Sequence, residues 1–217
     1  MILAAGHGER MRPLTDSIPK PLLEVNGKPL IQYHVENLVH SGMTSIIINH
    51  AHLGAQIEYY LGDGGRFGAD ITYSPEGDMP LETGGGIFNA LSLLGTDSFV
   101  VVNADIWTDF PFHTLPHQPK FLAHLVLVPN PPHNPGGDFS LTGAQAGVTS
   151  APFYTFSGIA VYRPELFASC KKGAFSLAPL LRSATARQQV TGELYSGDWM
   201  DVGTPERLEE LRRKRVV

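Results

Sequence analysis

The sequence predicts an α/β fold, a mixed and mainly parallel sheet flanked by helices, with a small β-subdomain. Three observations carry this. Strand-like segments recur at Met1-Ile2-Leu3-Ala4-Ala5, over 44–49, over 70–74 and over 99–102. Segments with helical spacing of apolar residues separate them, and such alternation gives a parallel sheet covered on both faces. After Asp109 the regularity changes, and shorter strands surround a proline/glycine loop.

The first strand is an apolar run that ends in small residues, as buried strands do. Over 29–43 apolar side chains fall at Leu30, Ile31, Val35, Leu38 and Val39. That is helical spacing, with Pro29 suited to the first turn and Gly42 to the stop. Thr44-Ser45-Ile46-Ile47-Ile48-Asn49 is a β-branched buried strand. A helix over 53–61 ends at Gly62-Asp63-Gly64-Gly65, and a strand follows over 70–74. A helix over 86–94 carries Ile87, Leu91 and Leu94 on one face and leads to the buried strand over 99–102. Strands are expected over 121–128 and 154–162, with Phe139-Ser140-Leu141 short between them. Residues 177–184 read as a helix, and 190–202 as strand segments turning at Ser196-Gly197. Thr204 is the N-cap of a last helix, Pro205 its first residue, and its Arg/Lys-rich end suits the C-terminal dipole. The expectation is a single domain over 1–217, with a first half over about 1–109 and a second over about 110–217.

The chain has 217 residues, 42% hydrophobic, and a net charge of −5. That suffices for one sizeable core. No basic stripe marks a nucleic-acid surface, so a small-molecule ligand is expected instead. The lone Cys170 forms no internal disulfide; it reads as a partly buried small side chain near a helix end. No signal h-region or membrane-length apolar run is present, so a soluble cytoplasmic protein is expected.

Chemistry concentrates in the first residues. Gly6 and Gly8 let the backbone turn and approach a ligand. Arg10 and Lys20 bring two cations to the same loop, and amides with Arg and Lys suit a polyphosphate. The loop is neither a dinucleotide fingerprint nor a Walker loop. Asp105 follows a buried strand, where open α/β sheets bind ligands. It reads as a Mg²⁺ ligand or as a turn or cap residue. Asp201, in Trp199-Met200-Asp201-Val202-Gly203-Thr204, reads as a second metal carboxylate or as a cap. Glu82, in Pro80-Leu81-Glu82-Thr83-Gly84-Gly85-Gly86, either meets a hydroxyl or base edge or favours the helix dipole. His50 and His52 lack a third ligand for zinc.

The string from Gly6-His7-Gly8-Glu9-Arg10 to Pro19-Lys20-Pro21-Leu22 resembles the signature of the sugar-1-phosphate nucleotidyltransferases. The resemblance covers nearly the whole chain. Tyr73-Ser74-Pro75-Glu76-Gly77, Leu81-Glu82-Thr83-Gly84-Gly85-Gly86, Gly137-Asp138-Phe139 and Phe156-Ser157-Gly158-Ile159 are similar to strings of those members that use UTP and N-acetylmuramate 1-phosphate. It implies a Rossmann-like nucleotide-diphospho-sugar transferase fold, Mg²⁺ as cofactor and a role in peptidoglycan recycling. By resemblance, Leu3, Ala5, Gly6, His7, Gly8, Glu9, Arg10, Lys20, Glu82 and Gly85 contact the nucleotide. Arg10, Lys20 and Asp105 are catalytic, and Asp105 and Asp201 hold the metal. Gly84, Asp138, Ser157 and Gly158 are sugar contacts, with Asp138 alternatively a loop residue. Many relatives carry a Glu-Lys-Pro string whose Lys holds the sugar phosphate; this chain has none. It also lacks the C-terminal extensions used in assembly, so a monomer is expected. A mannose-1-phosphate guanylyltransferase would share almost every motif, whereas a non-catalytic nucleotide-binding regulator would be expected to lose Arg10, Lys20 or Asp105.

Overall fold

The computed structural model describes residues 1–77 and 80–214. Chain order begins with β1 (Ile2–Leu3), a hairpin of β2 (Glu24–Val25) and β3 (Lys28–Pro29), α1 (Leu30–His40), β4 (Ser45–His50) and α2 (Gly54–Leu61). Then come β5 (Asp70–Pro75), α3 (Glu82–Leu94), β6 (Phe99–Asn103), β7 (Ile106–Thr108) and β8 (Ala123–Val128). The chain closes with β9 (Phe139–Thr142), β10 (Gln145–Gly147), β11 (Phe153–Tyr162), α4 (Leu177–Ala186), β12 (Val190–Leu194), β13 (Trp199–Asp201) and α5 (Pro205–Arg213).

One 9-stranded sheet has the order β5-β4-β1-β6-β11-β8-β12-β10-β9. β5, β4, β1 and β6 are mutually parallel, and β11 enters antiparallel beside β6. Alternate side chains leave opposite faces of a strand. Ile48, Ile2, Val102, Ile159 and Val126 are register partners across five neighbouring strands. All are 0% exposed, on the face covered by Ile31 and Val35 of α1 and Ile57 and Leu61 of α2. Their neighbours Ile47, Val101, Ala160 and Leu125 pack on the other face against Ile87 of α3 and Leu181 of α4. Both faces are buried, which explains the unbroken apolar runs. Each such aliphatic side chain contributes ~1.5–3 kcal/mol on burial.

β1 is the switch point of the sheet: the chain moves to β4 on one side and to β6 on the other. Ligands bind outside the carboxyl ends of strands at such a point. The loops after β1, β4, β5 and β6 all open there. A second, 2-stranded ribbon of β7 and β13 sets Asp201 opposite Ile106. α5 buries Leu208 and Leu211 with Met11, Leu30 and Trp107, closing the same side.

Local chemistry explains most boundaries. α1 ends in a Schellman turn, with Met43 N–H donating to Leu38 and Gly42 N–H to Val39 at positive φ. Pro29 closes β3, so the helix begins at Leu30. Thr204 Oγ1 accepts from Arg207 N–H, and Pro205 opens α5. Arg212 and Arg213 occupy its last turn, and residues 215–217 of the basic end lie outside the described residues. β9 and β10 form a hairpin that joins the main sheet through β12, and β9 also pairs with β11.

One expectation is corrected. The helix expected over 86–94 starts at Glu82, so Gly84, Gly85 and Gly86 are buried helical residues. A β-carbon on Gly84 would stand 2.9 Å from the Phe175 carbonyl, and one on Gly85 would overlap the Gly173 carbonyl. Close packing therefore outweighs the poor helix propensity of glycine. Cys170 lies just after a short 3₁₀ helix, Pro164–Phe167. It is half-buried against the second core, and burial raises its thiol pKa.

Candidate active site

The sequence from Leu3 to Lys20 folds as a wall around a cavity of about 550 Å³. Leu3, Ala5, Gly6, His7, Gly8, Glu9, Arg10 and Lys20 all line it. Gly8 has a φ of +66°, and its carbonyl accepts from Met11 N–H at 2.8 Å and from Thr15 Oγ1 at 2.8 Å. A β-carbon there would lie 2.9 Å from Thr15 Cγ2. Gly8 thus serves both the left-handed turn and close packing. A β-carbon on Gly6 would meet nothing within 4 Å, so that stretch of backbone stays open for a ligand.

Lys20 begins the short turn Lys20–Leu22 and is only 8% exposed. Its Nζ donates to Asp105 Oδ2 at 2.7 Å. Asp105 lies just after β6, and its carbonyl accepts from Val202 N–H at 2.8 Å. This bond carries the Asp201 strand to the Asp105 turn. Asp201 Oδ2 meets Arg207 Nη1 at 3.0 Å and His133 Nε2 at 3.3 Å, while its buried Oδ1 lacks a hydrogen-bond partner among the described residues. A β-carbon on Gly203 would lie 2.8 Å from Asp201 Oδ1 and 3.1 Å from Arg10 Nη2. Arg10, Asp201 and the cavity wall therefore converge on Gly203.

Asp105 lines the cavity and Asp201, though not itself a lining residue, is tied to it by the Val202 bond and has an unpartnered oxygen; this pair fits Mg²⁺, which takes one or two protein carboxylates and completes its shell with phosphates and water. Among the described residues no group of three or more His, Cys, Asp or Glu could hold a metal alone. His50 pairs with Glu58 at 2.7 Å, whereas the His52 ring sits 5.6 Å from that of His7; they form no zinc pair.

The nucleobase segment divides. Glu82 and Thr83 line the cavity, and Glu82 has a φ of +58° at the start of α3. Gly84 and Gly85 do not line it; both their N–H groups donate to the Phe175 carbonyl, at 3.0 and 3.1 Å. Their expected ligand contacts therefore cannot use these amides without breaking that pairing.

The expected sugar contacts fare similarly. Asp138 Oδ2 accepts from Phe156 N–H at 2.8 Å and from Asn134 Nδ2 at 3.2 Å. Ser157 is 1% exposed; its Oγ donates to the Val126 carbonyl and accepts from Ile159 N–H. Ser157 and Gly158 form a bulge in β11, with Gly158 at φ +85° against Asn103. Such bulges often re-aim a strand beside a site. None of the three lines the cavity. They brace the wall behind Asn103, aided by Trp199 Nε1, which donates to the Ser157 carbonyl at 2.9 Å.

Sequence reasoning missed Asn49, Glu76, Thr83 and Asn103, which line the cavity, and the partners Arg207 and His133. A polar Asn closing the buried Ile46-Ile47-Ile48 run was the available signal for Asn49.

The sheet carries a glycine loop with Arg10 and Lys20 at its switch point, and the comparisons show the class of protein to which it belongs. Residues 1–135 match the nucleotidyl transferase family, and the chain belongs to it. It is 52% identical to the N-acetylmuramate alpha-1-phosphate uridylyltransferase of Neisseria meningitidis, over 98% of this chain and 96% of that one. The protein of the same description from Caulobacter vibrioides is 33% identical over 95% of this chain and 92% of its own. Mannose-1-phosphate guanyltransferase beta-A of Xenopus laevis is 31% identical, with 94% of this chain matched to 61% of that one. A solved structure of a protein assigned as a glucose-1-phosphate thymidylyltransferase from Bacillus anthracis, holding sucrose, shares the fold with a TM-score of 0.84 at 24% identity. It covers 97% of this chain and 92% of its own. The protein is a sugar-1-phosphate nucleotidyltransferase.

Proposed function

We propose that the chain transfers the uridylyl group of UTP to N-acetyl-α-D-muramate 1-phosphate, releasing pyrophosphate, in the cytoplasmic recycling of peptidoglycan. The observation that carries this is the near-complete, 52% identical match to a protein of that activity. The cavity supports it chemically: glycine backbone, Arg10 and Lys20 face the place where a triphosphate would lie. Residues 1–109 supply the nucleotide side and 110–217 the sugar side.

An oxygen of the sugar phosphate attacks the α-phosphorus in line. The new P–O bond forms as the bond to the β-phosphate oxygen breaks, and pyrophosphate leaves with that electron pair. The attacking oxygen is already ionised, so no protein base is required. Catalysis is positioning and charge stabilisation. Arg10 and the Gly6–Gly8 backbone hold the triphosphate. Lys20 neutralises charge between the α-phosphate and the incoming phosphate, a role sharpened by the missing Glu-Lys-Pro lysine. Asp105 and Asp201 would hold Mg²⁺, which supplies further neutralisation of phosphate charge when bound. Thr83 and Glu82 offer polar groups to the base or ribose.

The reading is tested by incubating the protein with UTP and N-acetylmuramate 1-phosphate and identifying the products by mass. UDP-N-acetylmuramate and pyrophosphate in equal amounts support it. Absence of that product, with turnover of another pair, overturns the substrate assignment.

A further inference from the structure

In the cavity wall, Asn49 and Glu76 form a relay between two segments distant in the chain. Asn49 is the penultimate residue of β4 and is 2% exposed. Its Oδ1 accepts from Ala4 N–H at 3.0 Å, and its Nδ2 donates to Glu76 Oε1 at 2.6 Å. The other oxygen, Glu76 Oε2, accepts from Leu81 N–H at 2.6 Å. Ala4 is the root of the phosphate loop, and Leu81 immediately precedes α3 with its cavity residues Glu82 and Thr83. One pair of side chains thus ties the triphosphate wall to the wall expected to meet the nucleoside.

We propose that Asn49 and Glu76 are positioning residues for the nucleotide, and that their relay sets the distance between these two walls. This rests on the cavity being the nucleotide site. A separate observation supports it. A β-carbon on Gly86, one turn into α3, would overlap Glu76 Oε1 and stand 2.7 Å from Asn49 Nδ2. The helix carries a glycine where the relay passes.

The hydrogen-bond logic is strict. Both ends are backbone N–H groups, which only donate. A carboxylate only accepts, and a side-chain amide does both. The Ala4 donor fixes which end of the Asn49 amide is oxygen. The interior therefore accommodates one amide and one carboxylate, in either order. Glu76→Gln leaves two N–H groups facing at one junction. Asn49→Asp leaves two carboxylate oxygens facing. Combining the two substitutions restores all three bonds with polarity reversed: the new Asp accepts from Ala4 and from the new amide, whose oxygen accepts from Leu81.

The test compares the unaltered protein, Glu76→Gln, Asn49→Asp, the double variant and Gly86→Ala. Nucleotide affinity is measured by calorimetry without sugar phosphate, using whichever of UTP and GTP the unaltered protein prefers. A wrong base assignment and a wrong relay then give different results. Melting temperature, kcat and KM are read in parallel. Each single variant should weaken nucleotide binding and raise its KM ~10-fold or more, the effect of an unmet buried polar group. kcat should change less. The double variant should recover most of the affinity, because coupled neighbours depart from additivity. Gly86→Ala should weaken nucleotide binding as the singles do. Two results would overturn the proposal: single variants that bind nucleotide normally, even with lowered melting temperatures, or a double variant no better than the weaker single.

Discussion

Lys20 and Asp105 stand 85 residues apart in the chain and 2.7 Å apart in the fold. A nearly buried ammonium is held against a carboxylate that is 39% exposed at the cavity. The pair places the proposed catalytic cation beside the carboxylate proposed to hold Mg²⁺, at the cavity just after β6.

Lys20→Ala should lower kcat by ~10²–10³, the usual effect of losing charge stabilisation in a transition state. KM for UTP should change far less, because the charge acts where bonds are changing. Steady-state kinetics in both substrates decide this. A variant that raises only the KM for UTP would assign Lys20 to ground-state binding.

Asp201→Asn should raise the Mg²⁺ concentration for half-maximal rate by at least ~10-fold, since even outer partners of a metal site are worth that much. The unpartnered Oδ1 beside Gly203 motivates the expectation. Initial rates against free Mg²⁺ provide the check, and an unchanged dependence would remove Asp201 from the metal site.

Ser157→Ala should destabilise the fold by ~1–3 kcal/mol, because the Ile159 N–H and the Val126 carbonyl each lose a buried partner. KM for the sugar phosphate should stay unchanged. Chemical denaturation alongside kinetics separates this from a sugar contact, which would raise that KM without loss of stability.

His34 predicts a pH effect on stability. It is 1% exposed; burial pushes its pKa down to about 4, against smaller opposing effects of the Ile106 carbonyl and Asp105. The folded state thus favours the neutral ring, which is protonated near pH 6.5 once unfolded. Its contribution is complete above about pH 6.5 and is lost as pH falls toward 4. A displacement of this size is worth about 3 kcal/mol. His34→Gln should flatten the stability curve over that window, as followed by urea denaturation at several pH values. An equally steep curve in the variant would assign the loss to other groups.

What the sequence showed depended on whether the cause was local. The cavity-lining loop was legible because Leu3 to Lys20 is nearly continuous in sequence and its glycines and cations have distinct chemistry. The first helix was legible because Leu38, Gly42 and Met43 form its stop within one turn. The start of α3 was not, because Gly84, Gly85 and Gly86 are poor helix formers until Phe175 and Gly173 pack against them. On the sugar side the structure adds internal partners that the sequence does not reveal. Asp138 and Ser157 are polar residues in a suggestive string, but the β11 bulge and the proline loop use their oxygens. The Asn49–Glu76 relay joins residues 27 apart, and β7 with β13 joins Ile106 to Asp201. Such nonlocal pairings leave no periodic trace.

The most direct test of the whole account is the ratio of kcat/KM for N-acetylmuramate 1-phosphate with UTP to that for mannose 1-phosphate with GTP, read by pyrophosphate release. The account predicts a ratio well above one, with weak side activity on N-acetylglucosamine 1-phosphate, because the lactyl ether of N-acetylmuramate demands added room and room alone rejects smaller sugars poorly. A ratio below one would contradict it and make the protein a guanylyltransferase.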